Sequence, residues 1–364
     1  MVAHPTSTDA PAATFSRTDT TFFKGIGILL IVTHNFFHVR KGFGIENEME
    51  FKAENIHAFL GYLAALDFDS GIAAIFSFLG HYGVQLFIFF SAYGLSVQYQ
   101  RHRGTDLEFI VHRLRKIYFL LAFGIVFYVA AAVLAPRQSV DWLLILRNTF
   151  LLGTTISSFS MEWKYQMFAG PFWFFALIIQ LYLLFPWLYR VSSGFVGRSV
   201  WVPFLVSYLL IYAGFLLGGP QGFSTFSTLI GHLPEVLLGV WLARSGTDGF
   251  ARLDRLPWHL LCILLFALSQ LHPAFFPLGF LCITILLLSS VRWLQPRLGR
   301  WPTRFVLFCG EISMIMFVVN ARVRGVKVFD PHTVVDFVAF MPVLLLLSYL
   351  LYRIYHHLVV RWAI

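Results

Sequence analysis

The chain has 364 residues, of which 58% are hydrophobic, 18% aromatic and only 12% charged, against about 45–50% apolar and about 25% charged in a soluble domain. Forty-one Phe and ten Trp are more than one water-soluble domain of this length can hide. A soluble enzyme, a disordered chain and a disulfide-stapled secreted module are excluded, and a polytopic membrane protein remains.

The net charge of +9 then marks cytoplasmic loops rather than a nucleic-acid partner, since no basic arm, Cys/His finger spacing or RNA-binding aromatic signature accompanies it. Residues 1–21 are rich in Ser, Thr, Pro and Ala and read as a mobile tail, ahead of one transmembrane domain over 22–364. A helix needs about 20 mostly apolar residues to cross the hydrocarbon core. That rule predicts an all-α bundle of ten transmembrane helices near 22–39, 82–99, 117–135, 172–190, 201–218, 227–243, 257–272, 275–291, 305–321 and 338–356. Segments 56–79 and 142–153 are too short or too interrupted by charge (Asp67, Asp69, Arg147) and read as interfacial or re-entrant helices.

With ten spans and both termini cytoplasmic, 18 of the 27 basic residues fall inside, including Arg101, Arg103, Arg113, Arg115, Lys116 and the cluster Arg292, Arg297, Arg300, Arg304. The outer loop 40–55 instead carries Glu46, Glu48, Glu50 and Glu54. Cys262, Cys282 and Cys309 lie in apolar stretches at unrelated spacings and read as packing residues, with no metal site.

Polar groups inside a span are costly and therefore candidate functional groups. The first span, KGIGILLIVTHNFFHV, holds Lys24 at its start and His34, Asn35 and His38 deep within it. At 100° per residue Lys24, Asn35 and His38 fall within about 60° of one another, with His34 on the flank and about 15 Å of axial rise between Lys24 and His34. An imidazole suits proton transfer at neutral pH, so His34 is the candidate general base and His38 the second candidate. In FIVHRLRKIYF, Arg113 and Lys116 sit three apart, on one face if helical, and could grip a phosphorylated ligand at the membrane surface.

These segments together resemble the integral-membrane acyltransferase family 3, bacterial enzymes that O-acylate surface glycans. KGIGILLIVTH resembles the family's opening basic-Gly-Ile segment leading to its catalytic His; GVQLFIFFSAYGLS (83–96) its second helix; HRLRKIY its Arg-x-x-Arg stretch, with Lys116 in the second basic slot. FWFFALIIQLYLLFP (172–186), LPEVLLGVWL (233–242) and GEISMIMFVVN (310–320) resemble its later signatures. Two positions depart from the pattern: Asn35 takes the usual slot of the His, and Asn320 stands where many members have His.

The resemblance implies acyl transfer, usually of acetyl from acetyl-CoA, to a hydroxyl of an extracytoplasmic glycan or lipid-linked sugar, in the cytoplasmic membrane. Arg113 and Lys116, with Arg115 and Lys24, would hold the CoA phosphates at the inner face, and Asn35, Gln85 or Asn320 would stabilise the oxyanion. Trp163, in the outer stretch 157–168, and Trp173 join Gln85 and Asn320 as candidate acceptor-binding residues. The competing reading is a secondary transporter or flippase that uses the intramembrane His and Lys as a proton relay, although no paired half-repeats accompany it.

Overall fold

The computed structural model describes residues 14–134, 173–194, 201–218, 225–329 and 332–362, and among them every regular element is helical. The expected segments 142–153 and 157–168, and with them Trp163, lie outside the described residues.

The first helix, α1 (Arg17–His38), begins five residues before its expected start. Ser16 and Asp19 form a reciprocal capping box that satisfies the free amides of the first turn. Just ahead of it, Phe15 is caged by Phe23, Phe89, Phe90, Tyr93 and Phe250, with ring centroids 5.3–6.1 Å away. Thr14 donates to the Leu242 carbonyl at 3.1 Å. The tail expected over 1–21 is therefore anchored from Thr14 onward, because one buried aromatic ring and a cap outweigh the polar composition around them.

The next elements are α2 (Ala53–Ala64) and α3 (Phe68–Leu79), which runs through a 3-10 turn at Gly80–Tyr82 into α4 (Gly83–Arg101). The span expected at 82–99 is thus the second half of an apolar helical run over Phe68–Arg101. Asp67 and Asp69, which argued against a membrane span there, are spent at its start: Asp67 caps α3 by accepting from the Ser70 amide, and Asp69 pairs with Arg40.

Then come α5 (Asp106–Leu134), α6 (Trp173–Gly194) and α7 (Trp201–Ala213), which ends in a π turn. They are followed by α8 (Leu233–Leu253), α9 (Leu256–Leu271) and α10 (Phe276–Leu294). The chain closes with α11 (Arg300–Glu311), α12 (Ser313–Arg324) and α13 (Val334–Trp362). Six described helices are long and apolar enough to cross a membrane, or seven if α11 and α12 make one span. The straight span expected at 305–321 is instead this pair, bent by 81° at Ile312.

Glycines set how closely the helices approach α1. A Cβ on Gly25 would lie 2.0 Å from the Val306 carbonyl oxygen, and one on Gly310 would lie 2.0 Å from that of Thr21, so α11 rests directly on the α1 backbone. On another side Gly27 and Gly83 bring α4 close, a Cβ on Gly83 lying 2.5 Å from the Gly27 carbonyl oxygen. The bundle has two chemically distinct ends. Arg190 pairs with Asp106, and Gln295 donates to Asp19, at the end that also carries Arg17 and Arg101. His38, Glu46 and the Arg40–Asp69 pair gather at the other.

Candidate active site

The site is built where the last turns of α1 meet the α3–α4 junction. The final α-helical bond of α3 runs from the Gly80 amide to the Phe76 carbonyl, after which the backbone tightens into the 3-10 turn. The Ser77 carbonyl, next in the ladder, turns to a side chain: it lies 2.9 Å from His34 Nδ1. A carbonyl oxygen can only accept, so Nδ1 carries the hydrogen and Nε2 keeps its lone pair. His34 is buried, at 6% exposure.

Two more imidazoles surround it. The His38 ring centroid is 5.1 Å from that of His34, one helical turn onward, and the His81 ring, on the 3-10 turn, is 5.5 Å away and edge-on. His81 is buried, and neither of its ring nitrogens makes a well-formed hydrogen bond among the described residues. Gly80 allows this convergence: a Cβ there would meet His34 Cβ and the Leu30 carbonyl oxygen at 2.8 Å.

The loop after α1 supplies the anion. His38 Nδ1 stands 2.7 Å from Glu46 Oε2. The distance is short, but the approach is off the line of a good hydrogen bond, so the contact places a carboxylate against the edge of the ring. Burial works to raise the Glu46 carboxyl, and the contact with His38 together with the charges of His38 and His34 reverses this, leaving it below the usual value. The loop is pinned in place. Asn55 donates to the Glu46 carbonyl at 2.7 Å, Ser77 donates to the Phe43 carbonyl, and the Phe43 ring stacks on Tyr62 at 4.3 Å.

Beneath the histidines a narrow apolar gap, with about 10 Å³ of room for a water's centre, is lined by Ile31, Val84, Phe87, Phe174, Met314 and Phe317. Gln85 on α4 and Asn320 on α12 are buried beside these wall residues in sequence, and the amide oxygen of each has no hydrogen-bond partner among the described residues.

The acyltransferase-domain family matches residues 20–353. The chain belongs to the acyltransferase family 3. Neither a curated protein nor a solved structure matches it.

Of the residues that carried the family resemblance, the structure brings His34 and His38 together. Asn35 is half-buried, and its backbone carbonyl accepts a 2.5 Å bond from Arg324 on α12. The basic group lies far off, at the other end. Arg113 donates to Gln98 and stands over the Phe109 ring, while Arg115 and Lys116 are exposed. From His81 to Gln98 α4 advances about 25 Å at 1.5 Å per residue. Lys24 is half-buried between these two levels. Trp173 opens α6 as a buried ring packed edge-on against Phe174, rather than as an open platform for a sugar.

Sequence reasoning missed His81, Ser77 and Glu46. The glycines on either side of His81–Tyr82 were the available signal for a tight turn facing a neighbour. Glu46 stood among four glutamates of one loop, with nothing in the pattern to separate it from the others.

Proposed function

We propose that this membrane acyltransferase moves an acetyl group from acetyl-CoA to a hydroxyl of an extracytoplasmic glycan or lipid-linked sugar, with His34 as general base. The observation that carries this reading is the contact between His34 Nδ1 and the Ser77 carbonyl, which reserves Nε2 for proton abstraction. The acceptor hydroxyl gives its proton to Nε2 as its oxygen attacks the thioester carbonyl. The tetrahedral intermediate collapses with cleavage of the carbon–sulfur bond, and the imidazolium returns the proton to the departing thiolate. Gln85 and Asn320 are the amides nearest in sequence to the gap and are suited to receive the acceptor or the oxyanion.

The family membership supports acyl chemistry rather than a transporter. The gathering of Arg17, Arg101, Arg113, Arg115 and Lys116 toward one end of the bundle supports a donor entering from the cytoplasm of an inner-membrane protein, with ten crossings and both termini inside. Arg113 and Lys116, with Arg115 and Lys24, would meet the CoA phosphates, and the pantetheine arm would cross the distance to His34.

Purified protein in lipid nanodiscs, supplied with radiolabelled acetyl-CoA, should hydrolyse it or pass label to acceptor. His34→Ala should reduce this by about 10²-fold or more, the usual size of a general-base contribution, and His38→Ala by much less. Full activity in a folded His34→Ala variant would overturn the assignment of the base. Absence of any acetyl-CoA turnover in the parent, in the presence of its cell-envelope glycans, would overturn the donor.

A further inference from the structure

The two histidines of α1 have unlike partners. His34 faces the neutral carbonyl of Ser77, whereas His38 faces the carboxylate of Glu46. When His34 takes a proton, the resulting cation is buried at a place where the other rings, His38 and His81, are neutral at best. A buried charge is costly unless an opposite charge stands close.

The charged groups around this cluster can be taken element by element. Arg40 on the loop is matched by Asp69 of α3, and Lys52 by Glu50. Arg324 of α12 donates to the Asn35 carbonyl. Glu48 is held largely protonated by burial and by the neighbouring charge of Glu46, which push its carboxyl up to about 8. Among the described residues that leaves Glu46, one imidazole away, as the anion within reach of His34.

We propose that Glu46 is a positioning residue that acts through His38: its carboxylate orients the His38 ring and supplies the countercharge for the proton held transiently on His34. The inference rests on His34 being the base. It makes two demands. His38 must be neutral while His34 is protonated, because two imidazoliums with centroids 5.1 Å apart repel. Removal of the Glu46 charge must also raise the cost of placing a proton on His34, which then has no anion near it.

The test is the pH–rate profile of acetyl transfer by the full-length protein in nanodiscs. Glu46→Gln keeps the shape and removes the charge. The expected result is a kcat plateau lower by about tenfold or more, an acid limb moved to lower pH because the imidazolium has lost its anion, and an unchanged KM for acetyl-CoA. Glu46→Asp should restore part of both the plateau and the limb. A loop defect alone would lower kcat with the limb unmoved, and that outcome would overturn the proposal, as would a Glu46→Gln profile superimposable on the parent. His34→Ala in parallel separates the two questions. If it abolishes transfer while Glu46→Gln has no effect, only the role of Glu46 falls; if it does not, the base assignment falls first.

Discussion

His34 and Ser77 are separated by 43 positions in the chain and by 2.9 Å between an imidazole nitrogen and a carbonyl oxygen. That one contact links the end of α1 to the break between α3 and α4. It exists because the break interrupts the helical hydrogen-bond ladder at the residue where the imidazole arrives.

The break depends on Gly80. Gly80→Ala adds a Cβ 2.8 Å from His34 Cβ and from the Leu30 carbonyl, so either the turn or the imidazole must shift. Overpacking of this kind costs about 1–3 kcal/mol. Acetyl transfer should fall by about tenfold or more, since a displacement of about 1 Å at a reacting group can cost about 10²-fold. Gly61→Ala is the control, because a Cβ there meets nothing within 4 Å. Equal kcat in the two variants would show that the Gly80 contact is irrelevant to the site.

Arg113 and Lys116 lie two to three turns into α5, toward the basic end of the bundle and far from the histidines. Changing both to Gln should raise KM for acetyl-CoA by about tenfold or more, with normal insertion and little change in kcat. Raising salt should weaken the parent's donor affinity and affect the variant less, as expected for phosphate contacts at an exposed surface. Isothermal titration with CoA checks this directly, and equal affinity in both proteins would return these cations to the role of topology anchors.

Cysteine labelling fixes the orientation. Cys262, Cys282 and Cys309 are all buried and can be replaced to give a silent background. In that background Leu66→Cys, at an exposed corner between α2 and α3, should react with a membrane-impermeant maleimide from outside intact cells. Arg103→Cys, exposed between α4 and α5, should react only after permeabilisation. The reverse pattern would invert the bundle.

Glu48 makes stability depend on pH. Its folded carboxyl is pushed up to about 8 from an ordinary value of 4.5, first by burial and then by Glu46. Between these values the native state holds a proton that the unfolded state has lost, so stability falls as pH rises from about 4.5 to about 8 and is greatest on the acid side. Glu48→Gln should flatten this part of the curve, as read from thermal denaturation in detergent across that range. A slope unchanged by the substitution would place the linkage elsewhere.

The first helix and its polar face were legible in the sequence because periodicity is a local property, and His34 and His38, four apart, must share a side. What could not be read is what meets that side. His81 reaches it through three residues of 3-10 turn, in which each residue rotates about 120° instead of 100°. The α11–α12 bend was also invisible, because residues 305–321 are apolar throughout most of their length and hydropathy does not record direction. Gly310 stands just before the bend, where its missing side chain lets the backbone of Thr21 press against the helix. The start of α1 was missed for the opposite reason: composition averaged over 1–21, while a single buried ring, Phe15, and the Ser16 cap fix the helix start at Arg17.

The glycine contacts that seat α1 against α11 on one side and α4 on another leave little room for the helix to rotate or slide. The direction in which His34 points is therefore set when the chain folds into the bilayer, before any substrate arrives. Under the role proposed for His34, aligning the base adds almost nothing to the barrier of an individual turnover, and the entropy of that alignment is lost once, at biogenesis. On that proposal, variation among substrates must be accommodated by whatever surrounds the thioester and the incoming hydroxyl, around a proton acceptor that does not move.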